Sequence, residues 1–391
     1  MEVYILDSLY RRIEVIDRYE SLIWAERFSA IGDFELIVKA TIQNRGRFIP
    51  GVRLAQNESV RLMTVETVED ITDEEGRRNL KIKGPSYEGI LEHRAAVQSL
   101  TEIDPEDAKW VFENDPKTIV EDLFKFTCIE APLLAPEDEL PVIEGNVIFP
   151  TDTIGAPTEE IIYAPEPMTL YKAMKDLADA YSIGFRIVRH PVSNLLYFDV
   201  YMGSDRTTSQ FTLDAVVFSP DLENLRNTSK LDTTALYKNV AYVYSPVGRE
   251  DVYPIDVDPS IEGFERRVLL VRADDITDPD PPTATAQMIQ RGNEELAKHR
   301  RISALDGELA QTSQYVYGTH YHLGDLVELR DDDGTTAQMQ VTEQIFVSDR
   351  EGDRRFPTLS VNVFITPGSW LAWDFAQEWD DLTTEEWEDL P

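Results

Sequence analysis

Ala337-Gln338-Met339-Gln340-Val341-Thr342-Glu343-Gln344-Ile345-Phe346-Val347 is the stretch that decides the fold class. Ala337, Met339, Val341, Glu343, Ile345 and Val347 recur at period two, as do Leu359, Val361, Val363 and Ile365, and Asp331 to Gly334 supplies a turn before them. Successive strand side chains point to opposite faces, so the pattern predicts antiparallel strands with one buried and one wet face. The start of the chain reads the same way. Ile13 and Val15 alternate with Arg12 and Glu14, Phe34, Leu36 and Val38 share a face, and Leu80 and Ile82 alternate with Lys81 and Lys83. Asn57-Glu58 and Asp73 to Gly76 suit the intervening turns. Two β-rich blocks therefore bracket the middle of the chain.

The middle changes composition. Glu102 to Glu160 holds sixteen acidic residues, three lysines and seven of the 22 prolines, which reads as an insertion. It contains one predicted helix, with Asp115 as N-cap, Pro116 in the first turn and Ile119, Val120, Leu123 and Phe124 as the apolar stripe. A second helix is predicted over Thr169 to Tyr181, stopped by Gly184 and followed by strands at Phe185 to Val188 and Leu195 to Met202. Ser86 is placed to cap a short helix from Tyr87 to Arg94. Asn239 to Tyr244 reads as a strand, and Pro281-Pro282 opens a helix whose face carries Ile289 and Leu296 around a gap at Gly292. The predicted fold is α+β and β-rich, with two antiparallel β-barrel-like domains bracketing smaller α/β domains. The expected boundaries are 1–95 for the N-terminal barrel-like domain, 96–165 for the acidic Pro-rich insertion and 166–235 for a small α/β domain. A second barrel-like domain follows at 236–366, with a helix near 283–301, and an acidic Trp-rich tail at 367–391.

Charge narrows the function. The chain has 391 residues with 37 Lys plus Arg against 73 Asp plus Glu, a net charge of −36. Its field repels phosphate backbones and anionic lipid surfaces, so stable nucleic-acid binding and membrane association are not expected. No apolar run approaches the roughly eighteen residues of a membrane span, and Asp7, Arg11, Arg12, Glu14, Asp17 and Arg18 argue against a signal or an anchor. A lone cysteine, Cys128, allows no intrachain disulfide. At the end of an apolar helix, it reads as a buried, inert thiol.

Searches for chemistry return little. His320 and His322 share a strand face and would make half of a metal site, but a third ligand is missing, and structural histidines between tyrosines are the plainer reading. Asp331-Asp332-Asp333-Gly334 lacks the alternate spacing and distal Glu of a calcium loop and reads as a turn. Asp274, Asp275, Asp278 and Asp280 read as a solvated linker. There is no G-x-S-x-G, H-E-x-x-H, G-x-x-x-x-G-K-[ST] or G-x-G-x-x-G pattern. With 73 carboxylates, a glycosidase pair can be imagined anywhere, so abundance carries no argument. The arginine pairs Arg11-Arg12, Arg77-Arg78, Arg266-Arg267, Arg300-Arg301 and Arg354-Arg355 are dispersed and read as local counterions. No catalytic residue, cofactor site or metal site is assigned.

The C-terminus differs from everything before it. Four of the six tryptophans lie in the last twenty-two residues with eight acidic residues and no Lys or Arg. Glu378-Trp379-Asp380-Asp381-Leu382 recurs as Glu386-Trp387-Glu388-Asp389-Leu390. Burying one indole removes roughly 150–250 Å² from water, a gross gain on the order of 4–6 kcal/mol before ordering costs. Trp370, Trp373, Trp379, Leu382, Trp387 and Leu390 are therefore the candidate docking residues for a basic, grooved partner, the alternative being that the indoles fold back on the same chain.

Ser21-Leu22-Ile23-Trp24-Ala25-Glu26-Arg27-Phe28, followed by Gly32-Asp33-Phe34-Glu35-Leu36, resembles the opening of a minor tail protein family of long-tailed phages of actinobacteria. Lys83 to Leu91 with Arg94, Tyr171 to Ile187, and Leu323-Gly324-Asp325-Leu326-Val327 extend the resemblance over most of 1–366. The acidic tryptophan tail is also similar to tails on such proteins. The resemblance implies a baseplate hub: a trimeric ring with two β-barrel domains per subunit that closes the tail tube, with smaller α/β domains forming a cup. It implies as partners other copies of the chain, the distal tail protein or tail tube, the tape measure protein, and other minor tail or receptor-binding proteins. The implied location is the tail tip of the virion, after assembly in the host cytoplasm. A cell-wall glycan hydrolase and a carbohydrate-binding tail adhesin are the alternatives.

Overall fold

A computed structural model of the chain describes residues 1–72, 76–97, 110–129, 136–165, 167–244, 252–256, 260–273, 276, 281–297, 299, 302–309, 314–331 and 336–361. The expected turn residues 73–75 and 332–334, the linker aspartates, Val363, Ile365 and the tryptophan tail lie outside the described residues. The chain is β-rich, as expected, and the described strands close no barrel. Contacts divide it into two compact units. The first comprises Met1–Tyr237 and Ala297–Asn362, and the second is built on Lys238–Leu296.

The first unit begins with β1 (Val3–Leu6), β2 (Arg12–Ile16), β3 (Ser21–Arg27) and β4 (Asp33–Lys39). After the short helix α1 (Ile42–Arg47) come β5 (Arg53–Gln56), β6 (Leu62–Thr64), β7 (Thr67–Thr72) and β8 (Arg78–Pro85). One sheet runs β2-β1-β5-β6. The other joins the two ends of the sequence, because β3 pairs antiparallel with the long strand Thr336–Asp349, placing Phe346 opposite Trp24. Beyond β3 that sheet continues through β4 and β8 to β7; beyond the long strand it continues through Leu326–Arg330 to Val217–Phe218. Strand Gly352–Val361 pairs with the long strand as well.

The long strand departs from the phase that its sequence suggests. Its register with Gly352–Val361 shifts between Val341 and Glu343, so Thr342 is an extra residue without an opposite number. Such a bulge resets the alternation. Met339 and Val341 are buried before it, and Gln344, Phe346 and Ser348 after it, while Glu343, Ile345 and Val347 are only half-buried. One strand thereby serves two cores. Phe346 joins Trp24, Phe34, Leu36, Leu54 and Ile82, whereas Met339 and Val341 join Phe28, Tyr201, Phe218, Val327 and Leu329.

The α/β portion follows the capping chemistry. Helix α2 (Pro116–Cys128) starts at Asp115, whose carboxylate accepts from Thr118 N, and buries Ile119, Val120, Leu123 and Phe124. Helix α3 (Leu170–Tyr181) starts at Thr169, whose hydroxyl accepts from Lys172 N. Strand Leu196–Tyr201 lies between antiparallel Gly184–Arg189 and parallel Val142–Glu144, which ties the acidic segment into this sheet. Phe124 stacks on Phe198 with centroids 3.6 Å apart.

Two local expectations are corrected. Ser86 does precede a 3-10 helix, Tyr87–His93, but its hydroxyl makes no cap bond and accepts from Gly32 N at 2.8 Å. Helix α3 ends at Ser182, in the left-handed conformation at φ 52°, before Gly184 is reached. Gly184 instead makes room for an aromatic pair, since a Cβ there would lie 2.2 Å from Phe28 Cε2 and 2.8 Å from Tyr201 Cζ. Overpacking of this kind costs about 1–3 kcal/mol. Gly184→Ala is expected to lower the urea midpoint accordingly, without changing the denaturant slope.

In the second unit, strand Val240–Tyr244 pairs with Val252–Asp256 and Val268–Arg272. Helix α4 (Pro281–Ala297) contributes Ala284, Met288 and Leu296 to a core with Ala241, Val243 and Val271. Gly292 is the expected gap, with Ile255 and Val243 so close that a Cβ would meet them at 2.2 and 2.8 Å. Ile289, expected on the buried face, is 43% exposed.

Candidate functional site: a buried ionic cluster beside an arginine-lined cleft

The chemistry of the first unit concentrates where β3, the residues before β6, the 3-10 helix and the two α/β strands meet. Leu22, Trp24 and Glu26 share the inward parity of β3, so the strand carries a carboxylate into the interior. Glu26 accepts from the Ser59 hydroxyl and from Tyr317 OH. Nearby, the Arg61 guanidinium is 2% exposed and reaches Glu88 Oε1 at 3.2 Å and Tyr201 OH at 3.3 Å. Glu88, fully buried, also accepts from Ile187 N at 2.8 Å. Arg186 forms the next layer. It is paired with Asp199 at 2.5 Å and lies 3.4 Å from the Phe149 ring centroid and 3.6 Å from that of Tyr201.

The electrostatics follow from burial. Desolvation pushes Glu26 above its ordinary value of 4.5, against the pull of Arg61 and the bonds from Ser59 and Tyr317. Burial also works against the Arg61 charge, but Glu88, Tyr201 and Glu26 outweigh it and hold its pKa above the ordinary arginine value. For Glu26 the folded state holds a proton more tightly than the unfolded chain. Its ionisation therefore weakens folding as pH rises through the folded pKa. Glu26→Gln is expected to be more stable than the parent near neutral pH, with the difference closing as pH falls through the folded pKa toward 4.5 and flat below it. Urea midpoints across that range check this; a constant difference would contradict it.

Beside this cluster lies a cleft of about 270 Å³, walled by Arg12, Arg61, Arg186, Arg189, Phe149 and Tyr317, with Glu26, Glu58 and His322 also on its lining. The arrangement has charge, shape and aromatic surface. Its carboxylates are engaged: Glu26 as above, and Glu58 by Arg355 at 2.7 Å.

The residues singled out from sequence fall elsewhere. Trp370, Trp373, Trp379, Leu382, Trp387 and Leu390 lie outside the described residues. His320 Nδ1 accepts from Val316 N, and His322 packs edge-on to Phe149, with burial lowering its pKa. The two are not brought together with a third ligand, and no group of three or more His, Cys, Asp or Glu suited to a metal occurs among the described residues. Cys128 is buried and free, and burial pushes its thiol up to about 12. Three arginine pairs contribute counterions as expected: Arg11 to Asp7, Arg266 to Asp256, and Arg354 to Asp349 and Glu351. Sequence reading missed Glu26, Arg61, Glu88, Arg186 and Asp199. The available signal was a carboxylate at the core parity of an otherwise apolar strand.

Three solved structures share the fold over nearly their whole length. A tail protein from Neisseria meningitidis MC58 aligns with TM-score 0.58 at 14% identity, covering 95% of this chain and 98% of that one. The 43 kDa tail protein of prophage MuSo2 from Shewanella oneidensis gives TM-score 0.54 at 13% identity, covering 92% and 97%. Prophage tail protein gp18 from Listeria monocytogenes EGD-e gives TM-score 0.52 at 13% identity, covering 93% and 95%. At these identities the likeness speaks for the fold alone. No curated protein matches the chain in sequence. No helix among the described residues is long and apolar enough to cross a membrane. The model of the Siphovirus ReqiPepy6 Gp37-like protein family matches residues 2–359, and the chain belongs to that siphovirus tail protein family.

Proposed function

We propose that this tail protein is a baseplate hub: a non-enzymatic ring component at the tail tip that joins the tail tube or distal tail ring to tip and receptor-binding components and lets DNA pass. The observation that carries the reading is the likeness to three tail proteins over more than 90% of both chains in each case. Two hydrophobic cores strung along one sheet add support to the reading. Three copies around the axis, each of charge −36, would line or surround the passage with a field that repels DNA. The buried carboxylates Glu26 and Glu88 are held by Ser59, Tyr317, Arg61 and Ile187, an arrangement suited to rigidity. The tape measure protein and other minor tail proteins are the expected neighbours, and Trp370, Trp373, Trp379, Leu382, Trp387 and Leu390 are proposed to dock on one of them. Assembly takes place in the host cytoplasm before release of the virion. Particles produced without this chain are expected to lack a complete tail tip and to be non-infectious; infectious particles with intact tips would overturn the reading.

A further inference from the structure

The charges in the cleft do not balance side chain by side chain. Arg61 is answered by Glu88 and Arg186 by Asp199. Among the described residues, Arg12 and Arg189 have no carboxylate partner. Arg12 lies 4.0 Å over the Tyr4 ring, while Arg189 donates to the Tyr10 carbonyl at 2.7 Å and to Asn194 Oδ1. Arg189 is only 6% exposed, so its charge is partly withdrawn from water with no counterion among the described residues. That is costly in a folded chain, and a bound anion relieves it. Burial, and then the nearby charge of Arg12, pull the Arg189 pKa below the ordinary arginine value, which registers the same imbalance. Neither carboxylate on the lining forms an ion pair with Arg12 or Arg189: Glu58 is paired with Arg355, and Glu26 accepts from Ser59 and Tyr317 while burial disfavours its charged form.

We propose that this cleft is a binding site for a small organic oxyanion, a phosphate or carboxylate group carried on a single compact ring, with Arg189 and Arg12 as its ligands. Arg12 can present paired guanidinium donors to either group, while Arg189, with Nε on Tyr10 and Nη2 on Asn194, offers Nη1. At about 270 Å³ the cleft falls just below the roughly 300–1,000 Å³ of small-molecule pockets, which limits the occupant to one ring. Phe149 and Tyr317 provide apolar wall for the body of the ligand, and Asn57 provides a polar position for a hydroxyl. The site does not depend on the hub reading. It belongs to the isolated chain.

Calorimetric titration of the full chain at low salt tests it, with glucose 6-phosphate and glucuronate as the phosphate and carboxylate arms and glucose as the neutral control. At least one of the two anions is expected to bind saturably and glucose not at all. Affinity should fall at least tenfold in Arg12→Gln and in Arg189→Gln, the order expected for one lost charge-assisted hydrogen bond. Because Arg189 also holds Tyr10 and Asn194, the exposed Arg12 supplies the variant that leaves folding intact, checked by an unchanged urea midpoint. Absence of saturable binding by both anions, equal binding of glucose, or undiminished affinity in Arg12→Gln would each overturn the proposal.

Discussion

Arg61→Met is expected to lower the free energy of unfolding by about 3–5 kcal/mol, the usual result of removing one partner from a buried ion pair. Arg61 is 2% exposed and Glu88 fully buried, so water cannot replace the lost guanidinium. Glu88 would keep the bond from Ile187 N on Oε1, and its Oε2 already has no hydrogen-bond partner among the described residues. Tyr201 would lose its contact with the guanidinium, and Glu26 the nearby positive charge that favours its ionised form. Replacing Glu88 as well, as Arg61→Met with Glu88→Met, is expected to recover much of the loss, because two apolar side chains leave no charge stranded. Urea unfolding of the parent and the two variants decides the matter. A single variant within about 1 kcal/mol of the parent would show that the pair is hydrated. The pair ties residue 61, before β6, to the 3-10 helix and to the α/β strands, so its loss is expected to loosen all three.

Phe346→Ala is expected to cost about 3–5 kcal/mol, and Ile345→Ala and Val347→Ala markedly less. The ordering follows from the bulge at Thr342. Phe346 is 1% exposed and packs with Trp24, Phe34 and Tyr317, whereas its two neighbours are half-buried on the other face. A strict period-two reading gives the opposite order. Equal or inverted losses among the three would place the long strand in the unbroken register and remove the bulge.

What the sequence made legible was local. Asp115 caps its helix because a short polar side chain followed by a first-turn proline is a self-contained signal, and the second helix was plain from its amphipathic run, although Thr169, read as its first residue, is its cap. The strands were equally plain as elements. Their phase and partners were not, because pairing is decided across the chain. The Thr342 bulge is visible only once Gly352–Val361 lies opposite. The pairing of β3 with Thr336–Asp349 links segments separated by most of the sequence, for which periodicity offers no cue. Ser86 and Gly184 carry punctuation-type residues whose use is tertiary, one bonding Gly32 N and the other yielding space to Phe28. The ionic cluster was hidden for a related reason. Glu26, Arg61 and Asp199 look like three of many charges until the fold buries them together, and only Glu26, at the parity of Leu22 and Trp24, broke a local rule.

The proposed role is that of a structural ring at the end of a phage tail. A three-dimensional reconstruction of the intact particle tests it most directly. Three copies are expected around the tail axis, at the distal end of the tube, in contact with one another. Copies confined to the capsid, or a single copy off the axis at the tip, would contradict it.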